Sequence, residues 1–193
     1  MRKSFLVGSR VKLVKPKRFE DDRGWFMETH SAKLMAAAGI DVAFVQDNHS
    51  FSRDIGTIRG FHFQRPPHAQ AKLVRCVRGR IMDYAVDLRA GSPTYGDHVA
   101  LELSADNGAQ LFVPAGFAHA FVTLEPDTEV VYKVSDVYAP ECDGGIAWND
   151  PRLAINWPLP ASGPILSAKD MALPTLDAFD SPFVYDGHPL SID

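Results

Sequence analysis

Gly56-Thr57-Ile58-Arg59-Gly60-Phe61-His62-Phe63-Gln64 and Gly108-Ala109-Gln110-Leu111-Phe112-Val113-Pro114-Ala115-Gly116-Phe117-Ala118-His119 decide how this chain is read. The first has the spacing G-x5-H-x-Q, the second G-x5-P-x-G-x2-H. In each, a turn-forming glycine precedes a short run of aromatic and branched residues, the composition of a strand. His62 and Gln64 stand two residues apart, so on a strand they face the same side.

Outward from these segments, the chain continues as short strand-like runs broken by Gly, Pro, Asp and Asn. Strands are expected near 42–49, 57–64, 71–78, 80–88, 97–104, 109–113, 118–124 and 128–138. Alternation is clean at 98–104, where Val99, Leu101 and Leu103 oppose His98, Ala100, Glu102 and Ser104. Two runs meet at Gly79, which predicts a hairpin there. Ser31-Ala-Lys-Leu-Met-Ala-Ala-Ala reads as a helix, with Ser31 at the N-cap and Gly39 as the stop. Many short strands at even spacing predict an all-β antiparallel sandwich or barrel with few short helices. The last 35 or so residues are Pro-rich and are expected to wrap the body.

A length of 193 residues fits one domain with extensions, here read as 1–193 with an N-terminal arm (about 1–30) and a C-terminal wrapping tail (about 160–193). A net charge of -4 argues against a general nucleic-acid or membrane-surface binder. No segment approaches a membrane span. Cys76 and Cys142 form no C-x-x-C pair and read as free thiols of a reducing compartment. The N-terminus has a brief apolar run that Arg10 and Lys12 interrupt, too short for a signal-peptide core. These features predict a cytoplasmic protein.

Polar side chains on alternate positions of a barrel strand normally line a cavity, because burying them dry is costly. By that argument His62 and Gln64 face a cavity, and Tyr132, Asp136 and Tyr138 share a face if 128–138 stays extended. His62 alone could be a satisfied structural histidine, and Tyr132 alone a core residue. Lys72, in Ala-Lys-Leu-Val-Arg-Cys-Val, either snorkels outward or faces the cavity, where it would stabilise a developing anion. Phe19-Glu-Asp-Asp-Arg23-Gly-Trp-Phe26-Met-Glu28 reads as a turn, and Gly145-Ile-Ala-Trp148-Asn-Asp-Pro as a turn with an anchoring tryptophan.

The two opening segments resemble the half-motifs of the cupins, which implies a jelly-roll barrel. Metal-binding cupins carry H-x-H followed by Glu. Here Gln64 takes the second histidine slot, and the Glu slot falls on His68 or Ala69. His62 and His119 without a carboxylate are a poor set for a divalent transition metal. A histidine freed from that duty suits general-base work near neutral pH. DDRGWFMETH, FVQDNHSFS, IRGFHFQ, AQAKLVRCVRG, MDYAVDLRAGSPTYG, FVPAGFAHAF, VYKVSDVYAPE, GIAWNDP and ILSAKD together resemble the dTDP-4-dehydrorhamnose 3,5-epimerases, in family order over roughly 15–172.

The resemblance implies that His62 is the base, oriented by Asp170, that Tyr132 is the acid on the opposite face, and that Lys72 sits near the C4 oxygen. It implies that Arg23, Phe26, Glu28, Gln46, Asn48, Arg59, His119 and Asp143 contact the nucleotide, diphosphate or sugar, with Tyr138 stacking on the base. Family members commonly have Glu where this chain has Asp143, one methylene shorter. The family's N-terminal segment reaches into a partner subunit, which implies a homodimer with arm exchange. No metal or redox cofactor is implied. The alternatives are an epimerase acting at C3 or C5 alone, or one acting on a different nucleotide-linked sugar. A metal-dependent cupin and a non-catalytic nucleotide-sugar-binding module are the readings from other classes.

Overall fold

Short strands punctuated by Gly, Pro and Asp dominate the computed structural model, which describes residues 2–5, 11–188 and 190. The strands are β1 (Arg2–Phe5), β2 (Lys12–Lys15), β3 (Arg18–Asp21), β4 (Gly24–Met27), β5 (Gln46–Ser52), β6 (Ile58–Gln64), β7 (Lys72–Arg78), β8 (Arg80–Asp87), β9 (His98–Ser104), β10 (Gln110–Val113), β11 (Phe117–Thr123), β12 (Thr128–Val134) and β13 (Asp143–Gly145). Helix α1 (Ala32–Ala37) follows β4 and α2 (Ala168–Met171) lies in the tail. The outermost parts of the expected arm and tail, residues 1, 6–10, 189 and 191–193, lie outside the described residues.

Six strands form one sheet in the order β1-β2-β10-β7-β12-β5, and five form the other in the order β13-β6-β11-β8-β9. Every named ladder is antiparallel. The fold is the all-β jelly-roll barrel of the cupins. Between the sheets, Val74, Cys76, Leu111 and Val130 from one meet Ile81, Ala85, Leu103, Phe117 and Phe121 from the other. Each outer face is covered as well. Met35 of α1 and Ile40 lie on Leu73 and Phe112 of the six-stranded sheet. Leu153 and Trp157, with Leu176, Phe179 and Phe183 of the tail, lie on Phe61, Phe63, Tyr84 and Val86 of the five-stranded sheet. No helix among the described residues is long and apolar enough to cross a membrane.

The end of the tail is held by a buried charge. Arg89 is 3% exposed and makes two side-chain bonds to Asp87, of 2.8 and 2.7 Å, and a third of 2.9 Å to Asp186 in the tail. Its guanidinium also lies over the rings of Phe117 and Tyr185. Ser92 and Thr94 complete the ring of donors around Asp87, and Thr94 Oγ1 accepts from the backbone N–H of Leu190.

Three local expectations require correction. Gly79 does not turn a hairpin, because β7 and β8 belong to different sheets. It is a corner with φ of +75°, where a Cβ would lie 2.4 Å from Thr128 Oγ1. The apolar faces of β7 and β8 meet across the core instead of along a shared ladder. The strand expected at 42–49 is β5 at Gln46–Ser52, because Val42 and Phe44 pack under α1 rather than entering a ladder. The strand expected to reach 138 ends at Val134, where β12 runs out of partners on both sides. Ser31 stands at the N-cap of α1, but its side chain makes no capping bond.

Candidate active site

β6 and β11 set the floor of a cavity of about 420 Å³ between the sheets. Their ladder slips by one residue: His119 faces His62, yet Phe121 faces Arg59, so β6 carries an extra residue around Gly60. Such a bulge re-aims side chains. Here it turns Arg59 and His62, three residues apart, into the same cavity. Gly60 permits it, with φ of +129° and Ala120 Cβ only 2.5 Å from where a side chain would begin.

His62 Nε2 lies 2.6 Å from Asp170 Oδ1. Asp170 is 4% exposed. Burial works to raise its pKa, but hydrogen bonds and charge from His62, with help from Ser167 and Lys169, outweigh that and hold it below the ordinary carboxylate value. With Nε2–H given to this carboxylate, the ring's lone pair stands on Nδ1, and the buried anion stabilises the imidazolium that forms on protonation. Asp170 rides on α2, whose start is capped: Ser167 Oγ accepts from the Asp170 backbone N–H at 3.1 Å.

Lys72 faces the cavity rather than solvent, 8% exposed, and donates to the His62 carbonyl at 3.2 Å. It comes from the six-stranded sheet and so crosses toward the sheet that carries the histidine. Burial pulls its pKa down to about 8, with Asp143 and Asp83 pushing back up and Lys169 adding to the fall. Tyr132, also from the six-stranded sheet, reaches the same cavity, and burial raises its phenol, with Arg59 opposing. A phenol from one sheet thus shares the cavity with an imidazole from the other.

His119 is 6% exposed, lines the cavity and holds Asp83 Oδ1 through Nε2 at 2.7 Å. Asp83 is fully buried, and its Oδ2 has no hydrogen-bond partner among the described residues. Burial raises the Asp83 pKa, against pulls from His119 and Lys72.

An adjoining cavity of about 240 Å³ shares His62, Lys72 and Tyr132 with the first and adds Gln46, Asn48, Tyr138 and Asp143. Gln46 Nε2 donates to Asn48 Oδ1 at 2.9 Å. Asp143 accepts from the Tyr138 hydroxyl at 3.2 Å and pairs with Lys169. Arg23, Phe26 and Glu28 line neither cavity. They stand exposed on and just beyond the β3–β4 hairpin, with Arg23 paired to Asp21 at 2.5 Å.

Sequence reasoning passed over Lys169 and Asp83. For Lys169 a signal existed: Ser167-Ala-Lys-Asp170 is a helix-start pattern that places residues 169 and 170 side by side at the cavity. Asp83 lay in an apolar run with nothing to mark its partner.

The donor set does not fit a divalent metal. Among the described residues no three His, Cys, Asp or Glu side chains gather as a ligand set, and Gln64 gives both amide N–H groups to the carbonyls of His68 and Val137. Its carbonyl oxygen accepts from Ala139 N–H.

The charge of Lys72 changes within a pH range open to test. Turnover is expected to fall as pH rises through about 8, where Lys72 loses its proton. Lys72→Arg, charged throughout, should remove that descending limb even if its maximum is lower. A pH profile of kcat for both proteins checks this, and an unchanged limb in the arginine variant refutes it.

The family model described as dTDP-4-dehydrorhamnose 3,5-epimerase matches residues 9–178. A dTDP-4-dehydrorhamnose 3,5-epimerase of Sinorhizobium fredii is 51% identical over 177 residues, covering 92% of this chain and 90% of its own. The crystal structure of the Bacillus anthracis enzyme of that name, with TDP and PPi bound, superposes with a TM-score of 0.87 at 48% identity, over 90% of this chain and 98% of its own. The Legionella pneumophila dTDP-6-deoxy-D-glucose-3,5-epimerase, in complex with dTDP-4-keto-L-rhamnose, gives 0.86 at 41% identity, over 91% and 94%. Taken with a jelly roll whose cavity joins a histidine–aspartate pair, a lysine and a tyrosine, these likenesses show that the chain belongs to the dTDP-4-dehydrorhamnose 3,5-epimerase family.

Proposed function

We propose that the chain inverts C3 and C5 of dTDP-4-dehydro-6-deoxy-D-glucose to give dTDP-4-dehydro-L-rhamnose, with His62, Asp170, Tyr132 and Lys72 as its machinery. The observation that carries the assignment of roles is the placement of His62, paired with Asp170, and of Tyr132 on opposing sheets of one cavity. Protons at C3 and C5 are acidic because each neighbours the C4 ketone. His62 removes one, and the electron pair of the broken C–H bond passes to the C4 oxygen. Lys72 stabilises that enolate. Tyr132 delivers a proton to the other face, and solvent restores both groups. Carbon is neither oxidised nor reduced, so the reaction calls for no redox partner.

Tyr138 is the platform for the nucleotide base, beside Gln46, Asn48 and Asp143, while Arg59 and His119 serve the diphosphate and sugar. Each subunit is one cupin domain with an arm and a wrapping tail. Phe19, Trp25 and Phe26 on the β3–β4 hairpin are 52%, 57% and 68% exposed, which suits an arm seated on a second copy. In that homodimer Arg23, Phe26 and Glu28 complete the partner's site. Light scattering at micromolar concentration should report the dimer, and a fully active monomer would contradict it.

Tyr132→Phe tests the division of labour. His62 can still remove a proton and return deuterium to the same face, so exchange in deuterated water should persist. Inverted product should fall by at least ~10²-fold, the scale of a positioned proton donor. NMR of label and stereochemistry on dTDP-4-keto-6-deoxyglucose reads both. Inversion at the wild-type rate would sink the role of Tyr132.

A further inference from the structure

Beyond Val134 the chain leaves its ladder and runs to Tyr138, which lines the smaller cavity, with no strand paired to it among the described residues. Backbone groups in such a place need partners, and side chains must supply them. Three glutamines do so. Gln70 Nε2 donates to the Asp136 carbonyl at 2.8 Å. Gln64 Nε2 donates to the Val137 carbonyl at 3.1 Å, and Gln64 Oε1 accepts from Ala139 N–H at 2.8 Å. Gln46 Oε1 accepts from Tyr138 N–H at 3.1 Å. The peptide groups on both sides of Tyr138 are therefore fixed by side chains from β5 and β6, while its ring stays 57% exposed at the cavity.

Gln64 is the central member. It is 3% exposed and sits on β6 two residues from His62. Its second N–H goes to the His68 carbonyl at 2.7 Å, which ties the 65–70 loop to the same point. An amide suits this place because one side chain must both donate to carbonyls and accept from an N–H. Glutamate would donate nothing, and a histidine could not satisfy three backbone groups at once.

We infer that Gln64 and Gln70 are positioning residues for nucleotide binding: they hold residues 136–139 so that the Tyr138 ring is set in advance where the base arrives. Pre-setting a platform lowers the ordering cost of binding. The effect falls on affinity, since neither glutamine acts on the reacting carbons. The inference rests on Tyr138 being the base platform.

The experiment is a double-mutant cycle on the full-length protein, read by calorimetric titration with dTDP and by steady-state kinetics. Tyr138→Ala should weaken dTDP binding about tenfold or more, the scale of base–aromatic stacking. Gln64→Met, close in shape but unable to make these bonds, should weaken it by a similar factor and raise KM, with kcat within about twofold of wild type. In the Tyr138→Ala background, Gln64→Met should add nothing, because the group it positions is gone. Multiplying effects in the double variant would overturn the inference, as would a fall in kcat at unchanged dTDP affinity. If Tyr138→Ala weakens dTDP and Gln64→Met does not, the inference fails while the platform reading stands. If Tyr138→Ala leaves dTDP binding unchanged, the platform reading fails and takes the inference with it. Should Gln64→Met not fold, Gln70→Leu removes one bond at the other end of the segment. It should weaken dTDP about threefold in the wild-type background and not at all beside Tyr138→Ala, the coupling expected of neighbours in one network.

Discussion

His62→Ala is expected to lower turnover by at least ~10²-fold, and to end deuterium exchange at both C3 and C5. The two readouts fall together because both begin with the same proton removal. The His62 side chain is 30% exposed at the cavity, so its loss opens no sealed void in the core. The cost to the fold lies in Asp170, whose backbone N–H keeps its bond to Ser167 Oγ but whose carboxylate loses the ring. A melting curve should therefore show a folded protein. Asp170→Asn should fall short of His62→Ala in severity: an amide can still hold the ring but cannot stabilise its cation. Exchange at near the wild-type rate in His62→Ala would place the base elsewhere.

The second large effect is structural in origin. Gly60→Ala must fit a methyl against Ala120 Cβ at 2.5 Å and the His119 carbonyl oxygen at 2.6 Å, with φ at +129°. Relaxing the overlap means parting β6 from β11 at the bulge, where Arg59 and His62 are aimed. We expect a stability loss on the order of 3 kcal/mol, the range for an L-residue forced into such a conformation with added overlap. Activity should fall by ~10²-fold even where the variant is folded, since a misplacement of about 1 Å has that cost. Gly24→Ala is the control: its φ is +126°, but a Cβ there meets nothing within 4 Å. Equal losses in the two variants would mean that strain, not the bulge, is at work.

That bulge also marks where the sequence stopped being readable. Strands β6 to β11 fall within a residue or so of their expected bounds, because Gly, Pro and Asp punctuate them. The extra residue at Gly60 has no such mark, since a glycine in a strand is compatible with a bulge, a close approach or plain pairing. At Gly79 the turn residue was visible, but which sheet each arm would join depends on distant partners. Tyr138 reaches the cavity as expected by strand parity, yet for a different reason: the strand ends early and glutamines carry the loop there. His62, Lys72, Tyr132 and Asp170, which the family resemblance singled out, converge on one cavity. Asp83 and the backbone work of Gln64 depend on partners far along the chain, and no local pattern announces those.

The buried Arg89 gives the molecule a particular tolerance to acid. For Asp87, burial works to raise the pKa, but the hydrogen bonds from Arg89, Ser92 and Thr94 prevail and leave it below the ordinary carboxylate value. A carboxylate held low contributes stability that is complete above its unfolded value of ~3.9 and is lost only as pH falls through the lower folded one. Asp170 is lowered in the same sense. The tail that carries Asp170 is anchored at its far end by Asp186 on Arg89. The seat of Arg89, onto which the tail fastens, and the partner of His62 thus both rest on carboxylates held in the ionised form. In mild acid, where exposed carboxylates begin to neutralise, Asp87 still holds Arg89 in place beneath the strap. Only in stronger acid does Asp87 release it, and the same descent in pH strips His62 of its partner.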